Sequence, residues 1–259
     1  QRPDARYHRF DLGEALEADP SLYARLWQAI TAGLQAGTLR PLPQTVFPVS
    51  ETVAAFRYMQ QAKQIGKIVV DLAQPTAITF HEDATYLITG GLGALGLQIA
   101  QQLAAAGARR LVLAGRQGTT TDSQRQVLTQ LAEAGVQVVV MPADLADAHA
   151  VKLLIDRCNA LAPLRGIVHA AGVLDDGVLT TQTPARFAAV MRPKVEGVWY
   201  LHTLTAPMKL DFFVCFSSIA ALLGAAGQSN YAAANAFMDT LMQQRRQQGL
   251  PGLSINWGP

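Results

Sequence analysis

Thr89-Gly90-Gly91-Leu92-Gly93-Ala94-Leu95-Gly96 follows the apolar run Tyr86 to Thr89 and leads into the amphipathic stretch Leu97 to Ala106. A bare G-x-G-x-x-G string says little. Placed between a strand and a helix it says more: glycine permits the tight turn, lets a pyrophosphate approach the backbone, and leaves the free amides of the helix start facing the anion. A glycine turn with no ligand is the alternative reading.

Outward from this loop the chain alternates β-branched runs with longer helical patterns. Strands are predicted at Tyr86 to Thr89, Leu111 to Ala114, Val136 to Val140, Gly166 to His169, Phe212 to Phe216 and Leu253 to Asn256. Helices are predicted at Leu97 to Ala106, Ser123 to Ala134, Ala148 to Ala160, Pro184 to Thr205 and Asn230 to Gln248. Strands that are apolar throughout and separated by helices imply a mostly parallel sheet covered on both faces, a doubly wound Rossmann-like α/β fold. Residues 1–73 read differently. Leu22, Leu26, Ile30 and Leu34 mark a helix opened by Asp19 or Ser21 and stopped at Gly37; Thr45 to Val49 and Ile68 to Val70 suit short strands, and Ser50-Glu51 opens a second helix. So few elements bury too little surface to stand alone, so this part is expected to lean on something else. Residues 74–84 read as a linker and 85–259 as the main domain, expected to be cut short after its sixth strand.

The 259 residues make roughly one and a half to two domains. Half are apolar and 15% charged, which excludes a disordered chain. The net charge of +2 comes from 21 basic and 19 acidic residues that are interleaved, so nucleic acid is not an expected partner. Phe212 to Gly227, broken by Ser217, Ser218 and glycines, falls short of the roughly 18 residues a membrane span needs, and Gln1 to Asp4 carry no signal core. Two cysteines, Cys158 and Cys215, form no disulfide framework and suit a cytoplasmic protein. No metal site is expected.

The second strand ends at Ala114-Gly115-Arg116, where NAD-specific sheets usually place a carboxylate. An arginine there suits a 2′-phosphate and hence NADPH, unless Arg116 is a solvated surface side chain. Asp144, beside Leu145 after the third strand, can reach an adenine amino group or merely cap the next helix. His169-Ala170-Ala171-Gly172 ends the fourth strand with small residues where a dinucleotide would cross, and His169 reads as a packed histidine. Tyr231 and Asn235 lie four apart on one helix face, Ser218 ends the fifth strand, and Lys194 lies on the preceding long helix. Hydride addition to a ketone makes an alkoxide. Ser218 can hydrogen-bond that oxygen and Tyr231 can protonate it, with a lysine needed to favour ionisation of a phenol whose ordinary pKa is about 10. Asn235 can hold water for the relay. Taken singly, each of these residues has an ordinary structural reading.

Together, Thr89 to Gly96, His169 to Gly172, Phe216-Ser217-Ser218 and Gly227-Gln228-Ser229-Asn230-Tyr231-Ala232-Ala233-Ala234-Asn235 resemble the ketoreductase domain of a modular type I polyketide synthase, a short-chain dehydrogenase/reductase. Separations of 37 residues from Lys194 to Tyr231 and 13 from Ser218 to Tyr231 also match. Asparagine at 235, with lysine upstream at 194, exchanges the Tyr-x-x-x-Lys arrangement of single-domain members. The resemblance implies that Ser218 polarises the ketone, Tyr231 donates the proton, Lys194 supports it and Asn235 assists. It implies NADPH as cofactor and, as substrate, a 3-oxoacyl chain on the phosphopantetheine arm of an acyl carrier protein, with enoylreductase and dehydratase as neighbouring domains. Leu174-Asp175-Asp176 resembles the B-type fingerprint that orients substrate and implies a 3R product; no tryptophan stands at 223, and a solvated acidic pair is the other reading. Gly115 replaces a serine common before the arginine.

Residues 1–73 resemble the carboxy-terminal end of an enoylreductase, a medium-chain reductase. This rests on Gly37-Thr38-Leu39-Arg40-Pro41-Leu42-Pro43, Ala55-Phe56-Arg57-Tyr58-Met59 and Ile65-Gly66-Lys67-Ile68-Val69, with Gln64 in place of a usual histidine. Two other functions fit fewer residues: a non-reducing scaffold, which should have lost the loop or the tyrosine, and a free-standing NADP-dependent dehydrogenase.

Overall fold

The structure is a computed structural model that describes residues 11–72, 79–119 and 121–258 and divides into two compact units, 1–77 and 78–259. Residues 74–78 of the expected linker lie outside the described residues, as do Gln1 to Asp4.

In the first unit, helix α1 (Leu12–Ala18) opens on Asp11, whose carboxylate accepts the Glu14 amide, a cap the apolar pattern did not reveal. Helix α2 (Leu22–Gln35) starts after Ser21, but Ser21 does not cap it; its hydroxyl and amide both donate to Asp19. Strands β1 (Gln44–Pro48) and β2 (Lys67–Asp71) pair in parallel, joined through a 3-10 turn at Val49–Glu51 and helix α3 (Thr52–Gln60). Ala55 is the buried apolar side chain here among the described residues. Leu26, Trp27, Ile30 and Leu34 along α2 stay exposed, as the small number of elements led one to expect.

The second unit carries β3 (Thr85–Thr89), α4 (Ala94–Ala105), β4 (Arg110–Gly115), α5 (Asp122–Glu133), β5 (Gln137–Pro142), α6 (Ala148–Leu161) and β6 (Leu164–His169). After a 3-10 turn at Leu179–Thr181 follow α7 (Pro184–Lys194), α8 (Glu196–Thr205), β7 (Phe212–Ser218), α9 (Ala220–Leu223), α10 (Ser229–Gln247) and β8 (Leu253–Trp257). All six strands are parallel in the order β5-β4-β3-β6-β7-β8. The order reverses between β3 and β6, which opens a crevice beyond their carboxyl ends. Alternate residues of the strands serve two cores. Tyr86 and Ile88 pack with Leu97, Ala100 and Leu131 on one face, and Leu87, Ile167 and Phe213 with Leu154, Leu201 and Met238 on the other. That double burial explains why these strands read as unbroken apolar runs.

The helix expected over Pro184 to Thr205 is two helices, broken at Val195. Pro193 has no amide hydrogen to continue the ladder, and its ring crowds the preceding turn, so α7 ends at once with Lys194 as its last residue. The glycine loop is built by close approach. Gly90 has φ of +70°, and a Cβ there would meet the Ala170 carbonyl carbon at 2.7 Å; a Cβ on Gly96 would press into the Gly90 carbonyl and lie 2.7 Å from Gly91 Cα.

Gly96→Ala is accordingly expected to lower the unfolding free energy in urea by ~1–3 kcal/mol through overpacking. Gly118→Ala, which meets nothing within 4 Å, should change it by less than ~0.5 kcal/mol.

Candidate active site

The crevice between the ends of β3 and β6 is lined by Gly90, Gly93, Gly115, Arg116, Ala143, Asp144, Leu145, Ala170, Ala171 and Gly172, with Val173 and Pro193 at its rim, and encloses about 220 Å³. It continues past Leu92, Gln117 and Gly118 along the start of α4. Gly93 precedes α4 without a side-chain cap, leaving the first-turn amides of Ala94, Leu95 and Gly96 for an anion. Thr89 and Gly91 stand behind the cleft: the Thr89 hydroxyl pairs with His169 Nδ1 at 2.8 Å, and the Gly91 amide donates to the Ala114 carbonyl. Arg116 is exposed on the cleft and has no hydrogen-bond or ion-pair partner among the described residues. The Asp144 carboxylate accepts the Ala146 amide; it is Asp147 that caps α6 through the His149 amide. The alternative role of Asp144 as the helix cap is thereby excluded. A cleft without side chains where Gly90 stands, ending at a free guanidinium, fits a phosphorylated dinucleotide. Ala143, Val173 and Pro193 were not picked out by sequence, since apolar side chains at a cleft carry no pattern of their own.

At the cleft's far end, α7 and α10 bring Lys194, Tyr231 and Asn235 together, and Ser218 ends β7 two residues after Phe216, whose carbonyl Lys194 meets. Lys194 is 4% exposed and donates to Asn235 Oδ1 at 3.0 Å and to the Phe216 carbonyl at 3.2 Å; its Nζ lies 5.2 Å from the Tyr231 ring centre. Burial pulls its ammonium down to about 8 from 10.5, opposed by the nearby Cys215 and Asp239. Asn235 Nδ2 donates to the Tyr231 carbonyl at 2.8 Å, so both ends of that amide are engaged. Ser218 Oγ accepts the Ala220 amide at 3.2 Å, which leaves its own hydrogen to donate. His169 is fully buried; desolvation and the Lys194 charge hold it down to about 3, so it is neutral, in keeping with a packed histidine. Burial also raises both thiols, that of Cys158 to about 12.

Asp175 and Asp176 are not merely solvated. Arg186 of α7 donates from Nε and Nη2 to Asp175 Oδ1 at 2.9 and 2.5 Å, which holds that carboxyl below its usual range, and Gln228 donates to Asp176 Oδ2 at 2.8 Å. Leu174 beside them is 61% exposed. Among the described residues, no helix is long and apolar enough to cross a membrane.

Residues 84–259 match the family model described as KR domain, and residues 2–70 the model described as zinc-binding dehydrogenase. The chain is 43% identical over 255 residues to the spectinabilin polyketide synthase system protein NorB of Streptomyces orinoci, covering 98% of this chain and 11% of that protein. It is 41% identical over 259 residues to mycoketide-CoA synthase of Mycobacterium tuberculosis, covering 100% of this chain and 6% of that protein. It therefore spans about a tenth or less of the length of these relatives. Among solved structures, the ketoreductase from the first module of phoslactomycin biosynthesis in Streptomyces sp. HK803 is 40% identical with a TM-score of 0.67, over 73% of this chain and 44% of that one. A ketoreductase domain from the bacillaene assembly line, 24% identical with a TM-score of 0.67 over 98% of this chain and 73% of that one, shares the fold.

Because the folded state lowers the Lys194 pKa, the unfolded chain binds the extra proton between about pH 8 and 10.5, and in that window stability gains with rising pH. The raised thiols act in the opposite sense, so the comparison is with Lys194→Met, in which they are kept. The unfolding free energy of the wild type relative to Lys194→Met should rise by roughly 2 kcal/mol from pH 7 to pH 10 in urea titrations. A flat difference would contradict the assignment of a buried, charged lysine.

Proposed function

The chain belongs to the KR domain family of polyketide synthases over residues 84–259, behind a zinc-binding dehydrogenase segment that is enoylreductase-like, and on that premise we propose that it reduces a 3-oxoacyl chain to the 3-hydroxyacyl chain. The substrate in this reading is a thioester on the phosphopantetheine arm of an acyl carrier protein within a multidomain synthase, with enoylreductase and dehydratase as neighbours. The observation that carries the reading is the buried Lys194 ammonium, held between Asn235 Oδ1 and the Tyr231 ring at the end of a cleft that fits a dinucleotide.

NADPH, when bound, supplies the hydride. The chain's own residues do the rest. Gly90, Gly93 and the first-turn amides of α4 receive the pyrophosphate, Arg116 takes the 2′-phosphate, and Asp144 faces the adenine. The Ser218 hydroxyl, with its oxygen already accepting the Ala220 amide, donates to the ketone oxygen and steadies the negative charge that develops there. Tyr231 gives that oxygen its phenolic proton, and Lys194 stabilises the phenolate left behind. Two of the three Lys194 hydrogens are taken by Phe216 and Asn235, so one remains for this task. Asn235 fixes Lys194 through its Oδ1, and its Nδ2, with one hydrogen on the Tyr231 carbonyl, keeps a second hydrogen with which to hold water for the relay. The Leu174-Asp175-Asp176 loop supports a 3R product. A non-reducing scaffold is less well supported, since the triad and the glycine loop are both present.

Three outcomes test this reading. Tyr231→Phe should lower the rate of NADPH oxidation with a 3-oxoacyl thioester by ~10²–10⁴-fold, and equal rates in the two proteins would remove Tyr231 as donor. Arg116→Ala should raise the KM for NADPH by about tenfold or more while leaving that for NADH nearly unchanged, because a phosphate contact is lost. Chiral chromatography of the product should give the 3R alcohol, and a 3S alcohol would refute the inference from Asp175-Asp176.

A further inference from the structure

Tyr231, Asn235 and Asp239 follow one another at four-residue steps along one face of α10, and the first two belong to the site at the cleft's far end. Asp239 reaches the neighbouring strand instead. Its Oδ1 accepts the Ser254 hydroxyl at 2.5 Å and its Oδ2 the Asn256 side-chain amide at 2.8 Å, both from β8. Asn256 Nδ2 also donates to the Ser218 carbonyl at 3.1 Å and to Ser217 Oγ at 3.2 Å, so its two hydrogens are shared among three acceptors. The Ile219 amide, the other end of the peptide that follows Ser218, donates to the Trp257 carbonyl at 2.8 Å. Both ends of that peptide are therefore held by β8.

Ser218 is the last residue of β7, where strand pairing gives way to α9. A peptide plane fixed at its carbonyl and at its amide cannot rotate without unpairing a polar group, and it carries with it the Cα from which the Ser218 hydroxyl projects. The charge of Asp239 strengthens the hold, since a carboxylate accepts an amide hydrogen more strongly than a neutral oxygen does. We propose, on the ketoreductase reading above, that Asn256 and Asp239 are positioning residues that fix the peptide after Ser218 and so aim its hydroxyl at the ketone oxygen. Neither is a catalytic residue. Their loss should slow the chemical step more than it weakens substrate binding.

The test uses the full chain, its Asn256→Ala and Asn256→Asp variants and the double variant Asn256→Asp with Asp239→Asn, with the N-acetylcysteamine thioester of 3-oxopentanoic acid and NADPH. Asn256→Ala removes the donor to Ser218 at a partly exposed position. Its kcat should fall about tenfold or more while the KM for the thioester stays within about threefold, because the serine's hydrogen bond strengthens as charge develops on the ketone oxygen. An unchanged kcat overturns the proposal. Asn256→Asp sets two carboxylates against each other and should lower the urea midpoint of unfolding. Adding Asp239→Asn restores a donor and an acceptor between α10 and β8, keeps within the pair the negative charge that acts on Lys194, and should bring the midpoint back. The Ser218 carbonyl still faces a carboxylate in the double variant, so its kcat should remain low. Recovery of kcat together with the midpoint shows that the pair only joins helix to strand, and overturns the proposal. Should the midpoint not return, Asn256→Ala decides. Amide hydrogen exchange gives a readout independent of turnover. The Ala220 amide is bonded to Ser218 Oγ. Asn256→Ala should speed its exchange about fivefold or more and leave that of Leu87, in the central strand β3, within about twofold. If the wild type forms no 3-hydroxy product, the ketoreductase reading fails, and exchange alone decides the placement of Ser218: faster exchange at Ala220 supports it and unchanged exchange overturns it.

Discussion

The Lys194 ammonium keeps its charge almost out of contact with water by donating to the Phe216 carbonyl and Asn235 Oδ1, and the arrangement around the cleft's far end follows from that demand. Removing an ammonium from water costs several kcal/mol unless its hydrogens are met. One acceptor comes from β7 and the other from α10, so satisfying the charge pins strand and helix together at the place where Ser218 and Tyr231 emerge. Pro193 ends α7 so that Lys194 falls there, and Gly172 supplies the space: a Cβ on it would lie 2.9 Å from Lys194 Cε. The same burial that makes the lysine costly to hold brings its pKa toward neutrality, where its charge answers to small changes nearby.

The opposite end of the cleft is governed by backbone approach rather than by charge. Gly90 and Ala170 touch across the switch point, and Gly96 seats α4 on the turn, so the mouth between β3 and β6 presents amides and small side chains. Neither end alone makes a reductase. A glycine cradle binds many dinucleotides, and a lysine beside a tyrosine occurs in many cores. Their placement at two ends of one crevice gives the family resemblance its physical meaning.

The first unit offers a contrast. Helix α2 has the apolar spacing of a core-facing helix, yet Leu26, Ile30 and Leu34 are exposed, and burial among its described residues is confined to Ala55 among apolar side chains. A two-stranded sheet and three short helices have too little surface to cover. Its match to a zinc-binding dehydrogenase over residues 2–70 accords with the reading of this part as a medium-chain reductase segment.

Sequence by itself determined the six strands, the mostly parallel character of their sheet and the glycine loop, because strands buried on both faces read as continuous apolar runs and a tight turn at a helix start admits few residues but glycine. It also singled out Lys194, Ser218, Tyr231 and Asn235 as chemical types at telling separations. Tertiary structure alone decided the rest. The engagement of Asn235 Oδ1 by Lys194 depends on a partner 41 residues away in sequence. The bond from Asn230 to the Asp175 carbonyl depends likewise on a distant partner. A buried amide or an arginine in a helix has no periodicity to betray it, and only the fold specifies which carbonyl, 50 or so residues away, it will meet.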